Sequence, residues 1–174
     1  DRNLMARNSP ATRITISEGY VPGCIGRVAQ LHAEHYWAAS GFGISFEAKV
    51  ARELADFCQN HKPGRDEIWL AVCNGRIEGS VAIDGTNAQT TGAHLRWFIT
   101  SDDIRGQGIG RKLLEQAMAF VRACGYRKTY LWTFSGLDAA RHLYESHRYR
   151  LVHESPGRLW GILVTEQRFE RNEI

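Results

Sequence analysis

The stretch from residue 95 to residue 125 leaves this chain little freedom in what it can become. A β-branched and aromatic run, Ala93 to Thr100, is followed by Arg105-Gly-Gln-Gly-Ile-Gly110 and then by an amphipathic run, Ile109 to Cys124. Leu113, Leu114, Ala117, Met118 and Val121 form an apolar stripe at helical spacing, and Gly125 supplies a left-handed stop. The chain must therefore pass from strand through a glycine-rich turn into a helix. Glycines at 106, 108 and 110 leave successive N–H groups unobstructed by Cβ atoms at the positive end of that helix. Such a turn is a ready cradle for a pyrophosphate. Two other phosphate loops fail on spacing. A GxxxxGK[ST] loop would need Lys and Ser or Thr after Gly110, where Arg111-Lys112-Leu113 stands; the third glycine of GxGxxG would fall on Arg111.

The rest of the chain reads as alternating strands and helices. Arg13 to Ile16 is β-branched. Gly23 to Trp37 and Phe46 to Asn60 carry apolar residues at helical spacing, with Ser45 before the second and Glu47 in its first turn. Ile68–Cys73 and Arg76–Asp84 flank Asn74-Gly75, the preferred pair for a type I′ hairpin. Thr129 to Phe134 reads as a strand and Leu137 to Ser146 as a helix. Leu151–Glu154 and Leu159–Phe169 read as a final hairpin across Ser155-Pro156-Gly157. The expectation is one mixed α/β domain over 13–174, behind a flexible N-terminus at 1–12.

Composition supports this and narrows the partners. The 174 residues, 43% hydrophobic and 24% charged, suffice for one self-standing core. The net charge of +3 is too mild for a general nucleic-acid binder. It is also uneven: from Arg105 to Arg150 there are nine Arg or Lys against three Asp or Glu. No apolar run is long enough to cross a membrane. Cys24, Cys58, Cys73 and Cys124 are far apart and form no CxxC pair, so reduced thiols and a cytoplasmic location are expected. His32-Ala-Glu-His35 is not an HExxH pattern, and no metal site is expected.

Arg105-Gly-Gln-Gly-Ile-Gly110, with Tyr144 in the helix after the next strand, resembles the R/Q-x-x-G-x-G/A motif of the GCN5-related N-acetyltransferase (GNAT) superfamily. Gly125 to Thr133 and Phe46 to Val50 further resemble a bacterial branch often fused behind MarR-type regulators, though no DNA-binding module is read in these residues. The resemblance implies the GNAT fold, a mixed and mostly antiparallel sheet flanked by helices with a splayed central strand pair. It implies acetyl-coenzyme A as cosubstrate, bound by residues 105–111 (Arg105, Gly106, Gln107, Gly108, Ile109, Gly110, Arg111). Backbone groups around Phe98, Ile99 and Thr100, where the central strand should bulge, would hold the pantetheine arm; Leu137, Ala140 and Tyr144 would add contacts from the later helix. Tyr144 takes the position of the general acid. Two departures stand out. Leu137 replaces a common Asn, and Arg148-Tyr149 replaces the usual Gly-Phe.

Direct acetyl transfer needs a neutral amine. At pH 7 that costs about 4.6 kcal/mol for a lysine-like amine but only about 1 kcal/mol for an α-amine. Set against the same family, His94 falls where the histone-acetylating branch has its glutamate base; Glu47 and Asp84 are rivals. Tyr36, Phe46, Glu47 and Trp97 are candidates for the acceptor pocket. The expected function is acetyl transfer from acetyl-coenzyme A to a small-molecule or peptide amine (EC 2.3.1.-). An acyl-coenzyme A sensor is the alternative. The last hairpin could pair across a homodimer.

Overall fold

The computed structural model describes residues 13–173, so the expected flexible segment 1–12 lies outside them. Seven strands form one sheet in the order β1-β2-β3-β4-β5-β7-β6: β1 Ile14–Glu18, β2 Glu67–Cys73, β3 Arg76–Asp84, β4 Ala93–Thr100, β5 Lys128–Phe134, β6 Arg150–Gly157 and β7 Val164–Asn172. Every pairing is antiparallel except β4 with β5. The helices are α1 Cys24–Ser40, α2 Ile44–Gln59, α3 Ile109–Cys124 and α4 Asp138–Ser146. A 3-10 turn over Asp102–Ile104 stands between β4 and α3.

Strand alternation sorts the core onto two faces. Trp69, Ala71, Val81, Ile83 and Leu95 meet α3 through Leu113, Leu114, Ala117 and Val121. Their neighbours Ile68, Leu70 and Ala82 meet α1 and α2 through Val28, Val50, Leu54 and Phe57. The β2–β3 turn is built as the Asn-Gly pair requires, with φ of 52° at Asn74 and 74° at Gly75.

The last hairpin differs from expectation. Ser155, Pro156 and Gly157 pair with Glu166, Thr165 and Val164 inside the ladder, and residues 158–163 make the connection. A proline mid-run reads as a turn, yet β6 is the edge strand, where a missing N–H costs no ladder bond. α1 runs to Ser40, and Gly41 ends it at φ 71°. α2 starts two residues before the expected Phe46.

Two irregularities in β4 create the space described below. β4 and β5 pair only at Ala93↔Thr129 and His94↔Tyr130, then diverge. On its other edge, β4 slips register against β3 between Arg96 and Ile99. Trp97 there adopts φ 48°, rare for a bulky side chain. The slip falls at Trp97, just before Phe98; Ile99 and Thr100 stay paired with Ser80 and Gly79. Its effect is to place consecutive residues on one face. Arg96 bonds Glu53 of α2 and Trp97 packs on Phe57 of α2, while Phe98 turns to the α3 side beside Tyr144.

Candidate active site

The gap between the diverging halves of β4 and β5 is a cavity of about 470 Å³. β4 contributes His94 to Phe98, β5 contributes Leu131 to Phe134, β7 contributes Glu166, and α1, α2, α4 and the 158–163 connection close it. On the β5 side, Leu95 to Thr100 has no strand partner, so that edge's backbone groups are open to a ligand.

The glycine-rich turn earns each glycine differently. Gly106 and Gly108 have φ of 82° and 74°, and a Cβ on either would meet nothing, so conformation alone selects them. Gly110 is chosen by contact: a Cβ there would lie 3.2 Å from Leu143 and 3.3 Å from Phe98. No backbone carbonyl takes the N–H of Gly106, Gln107 or Gly108 among the described residues. α3 has no side-chain cap and no acid in its first turn. Orphan donors at a positive helix end, with Arg105, Arg111 and Lys112 around them, are the donor set that a pyrophosphate requires. Arg105 is braced by Asp102 at 2.8 Å.

Tyr144 and Tyr149 show what distinguishes a structural tyrosine from an available one. Both rings are buried, with centroids 6.2 Å apart. The Tyr149 hydroxyl shares a 2.7 Å hydrogen bond with Thr129. Tyr144 lines the cavity, and its hydroxyl has no hydrogen-bond partner among the described residues. Burial pushes its phenol far above the usual tyrosine range, so it stays protonated at any working pH. Tyr36 also lines the cavity, packed against Phe42, Phe46 and Phe134; burial raises it to about 12.

His94 lines the cavity too, stacked 4.4 Å from the Tyr130 ring. Burial, then the charges of Arg96, Arg168 and Lys49, lower its pKa to about 3. A proton accepted there would be desolvated among three cations, so His94 is present as a neutral hydrogen-bonding group. As a general base it is correspondingly weak.

The remaining candidates divide cleanly. Phe46 and Trp97 line the cavity. Glu47 does not: it is exposed, because the cavity takes Phe46, Lys49, Val50 and Glu53, one helical face of α2. Asp84 opens instead on a smaller neighbouring cleft of about 230 Å³. Ile99 and Thr100 are beyond the cavity lining. Leu137 packs with the α1/α2 core and Ala140 with the α3 core, so neither offers a polar contact. Lys49, Glu53 and Arg96 line the cavity without having been singled out in sequence, as does His32, which was weighed only as part of a metal pattern. For Lys49 and Glu53 the signal was present, three and seven residues beyond Phe46. No group of three or more possible metal ligands occurs among the described residues.

The sequence profile of the acetyltransferase (GNAT) family matches residues 30–149, which include β4, the glycine turn, α3, β5 and Tyr144. The chain belongs to this family. Among curated relatives it is similar to human N-acetylaspartate synthetase, with 28% identity over 136 residues, covering 78% of this chain and 45% of the relative. The Danio rerio protein of that name is 32% identical over 124 residues, covering 71% and 44%. The chain thus spans less than half the length of these relatives. An acetyltransferase from Streptococcus agalactiae superposes with a TM-score of 0.71 at 20% identity, over 92% of this chain and 98% of that one. The Salmonella typhimurium yncA protein, solved with its cofactor acetyl-CoA, gives 0.72 at 15% identity over 92% and 94%. These structures share the GNAT fold, the mixed seven-stranded sheet with four helices seen here. No helix of this GNAT domain is long and apolar enough to cross a membrane among the described residues.

Proposed function

We propose that this GNAT domain transfers an acetyl group from acetyl-coenzyme A to a primary amine by direct attack, with Tyr144 as general acid. The observation that carries the reading is the unpartnered hydroxyl of buried Tyr144 on a cavity whose Phe98 wall also touches the glycine turn at Gly110. Acetyl-coenzyme A supplies an activated acetyl thioester. The N–H groups of residues 106–111 would hold its pyrophosphate, helped by Arg105 and Arg111. The unpaired edge of β4 from Phe98 would hold its pantetheine arm. Ser80 donates a 2.6 Å hydrogen bond to the Trp97 carbonyl, which fixes the bulge that frees this edge.

Tyr144 is held protonated by burial and would give its proton to the departing thiolate. The same low-dielectric surroundings make that thiolate a stronger base, so donation remains feasible. His94, kept neutral, would accept a hydrogen bond from the amine, and the proton that nitrogen loses on acylation would pass through solvent to replace the one Tyr144 gives to the thiolate. An acceptor arriving as a neutral α-amine would need little more. The relatives named N-acetylaspartate synthetase support nitrogen as the acceptor atom. The free thiols, and the resemblance of Phe46 to Val50 and Gly125 to Thr133 to a bacterial acetyltransferase branch, support a bacterial cytoplasmic setting, and the free edge of β6 is where a second copy could pair.

Calorimetry with acetyl-coenzyme A, paired with thiol release over an amine panel, tests the proposal. Tyr144→Phe should lower kcat by about 10²-fold or more while leaving cofactor affinity nearly unchanged. Unchanged turnover would remove Tyr144 as the acid. Tight cofactor binding with no release on any amine would favour the sensor reading, to which the apolar Leu137 lends support.

A further inference from the structure

The ionic groups of the cavity are paired at one end and not at the other. On the α2 side, Glu53 Oε1 accepts from Lys49 at 2.8 Å and Glu53 Oε2 accepts from Arg96 at 2.9 Å, while Asp84 also faces Arg96 at 3.7 Å. Arg168, whose charge acts on His94, is bonded to Glu170 at 3.1 Å. Each of these cations therefore has its carboxylate. Glu166 lines the same cavity, half-buried, and forms no ion pair among the described residues. Its Oε2 accepts the Leu159 N–H at 2.8 Å, and its Oε1 has no partner among the described residues.

Glu166 stands at the end of the gap where the chemistry is proposed. β4 and β5 run parallel, so Phe98 lies about as far beyond the His94–Tyr130 pair as Phe134 does. Tyr144 packs on Phe98 at 5.8 Å, and Glu166 is the ladder partner of Phe134. The proposed acid and the free carboxylate thus flank the same open end. The wall there is aromatic: Tyr36 meets Phe46 at 5.3 Å and Phe134 at 5.8 Å, and Trp160 meets Phe134 at 5.5 Å. Tyr36 and Trp160 are only half-buried, which leaves ring surface for a guest. Beyond them, exposed Leu159 and Leu163 continue the apolar surface outward, as does Ile44 beside Ser45, the residue that crowds Gly161. A volume of about 470 Å³ suits a small molecule. A polyamine would find its second ammonium facing carboxylates already held by cations, and a substrate carboxylate would face Glu166.

We propose that the acceptor is a small arylalkyl monoamine, its ammonium held by Glu166 and its ring seated among Tyr36, Phe46, Phe134 and Trp160. This rests on the acetyl-transfer reading and deepens it. Such an amine arrives charged at pH 7, and an unpaired carboxylate draws it in. The ammonium then gives one proton, by way of Glu166, to water at the cavity mouth. The neutral nitrogen attacks the thioester carbonyl carbon; the C–N bond forms and the C–S bond breaks. Tyr144 protonates the thiolate, and the second proton lost by nitrogen restores Tyr144 through solvent.

The experiment measures thiol release from acetyl-coenzyme A with 2-phenylethylamine, tryptamine, ethanolamine, spermidine and L-phenylalanine. The two aryl amines should exceed ethanolamine and spermidine by about tenfold or more in kcat/KM, since only they fill the aromatic slot. L-Phenylalanine is 2-phenylethylamine with a carboxylate added, and it should be poorer by about tenfold or more because that carboxylate meets Glu166. Glu166→Gln keeps an acceptor for the Leu159 N–H. It should raise KM for 2-phenylethylamine about tenfold, leave KM for acetyl-coenzyme A unchanged, and shrink the gap to L-phenylalanine. A merely structural role for Glu166 would move both acceptors alike. Trp160→Leu should narrow the preference for aryl amines over ethanolamine. Better turnover of spermidine, ethanolamine or L-phenylalanine than of the aryl amines would overturn the inference, as would a gap unmoved in Glu166→Gln. In those cases continued thiol release leaves acetyl transfer standing. Failure of acetyl-coenzyme A to bind in calorimetry, with no release on any amine, overturns the underlying reading and this inference with it.

Discussion

Arg148 sits just past α4 with φ 67°, a conformation that costs an L side chain roughly 1–2 kcal/mol. The backbone pattern explains why the chain accepts it. Tyr149 N–H bonds the Tyr144 carbonyl and Arg148 N–H bonds the Glu145 carbonyl, the two bonds of a Schellman stop, with Tyr149 packed back on Tyr144. The departure from Gly-Phe is thereby accounted for. Arg148 tolerates a glycine's conformation, and Tyr149 adds a hydroxyl that Thr129 satisfies. Arg148→Gly should stabilise the domain by about 0.5–1 kcal/mol, the left-handed penalty less glycine's unfolded-state entropy. The urea midpoint should rise with an unchanged m-value. The Arg148–Glu173 pair lost with it is half-exposed at 3.7 Å and offsets little.

Among the elements, the glycine turn and α3 were legible because their signals are local: a helical stripe, a left-handed stop, and three closely spaced glycines. The bulge at Trp97 was not. Its position depends on β3, whose Ser80 hydroxyl ties the Trp97 carbonyl, and no periodicity within β4 reports that bond. Glu47 was misplaced for a related reason: the chain shows which residues share a helix face, but not which face meets a gap in a sheet. Lys49 and Glu53 share the face of Phe46 and were missed by the same ambiguity. Gly110 offers a test at this scale. Gly110→Val would press on Leu143 and Phe98 and wedge α3 from α4 and β4, at about 1–3 kcal/mol. KM for acetyl-coenzyme A should rise with it, because the N–H groups of the turn move. Gly125→Ala, strained at φ 71° at the other end of α3 and meeting nothing, should lose stability without moving that KM. Equal KM effects from the two would show that helix stability, not turn geometry, sets cofactor affinity.

Across the whole molecule, composition showed a surplus of positive charge between Arg105 and Arg150, yet the cations that crowd His94 come from α2, β4 and β7. Only folding assembles them, and that assembly has a pH signature. Burial chiefly lowers His32 to about 4, and burial with three nearby cations lowers His94 to about 3, against about 6.5 unfolded. Between pH 6.5 and 4 the unfolded chain therefore binds more protons than the folded one. Stability should rise with pH across that window and be lost as pH falls through it, each histidine contributing up to about 1.4 kcal/mol per pH unit. The upper part of this window lies above most carboxylate titrations, so urea unfolding at intervals from pH 7 to 5 reports chiefly imidazoles, to which His35, also lowered by partial burial and by Arg105, adds a share. His32→Gln should remove a substantial part of the slope. His94→Gln should remove a similar share and leave the acid limb of kcat/KM unmoved, since a group already neutral above about pH 4 cannot set that limb. A slope that survives both substitutions would place the acid sensitivity elsewhere in the fold. A displaced limb in His94→Gln would instead restore His94 as the base.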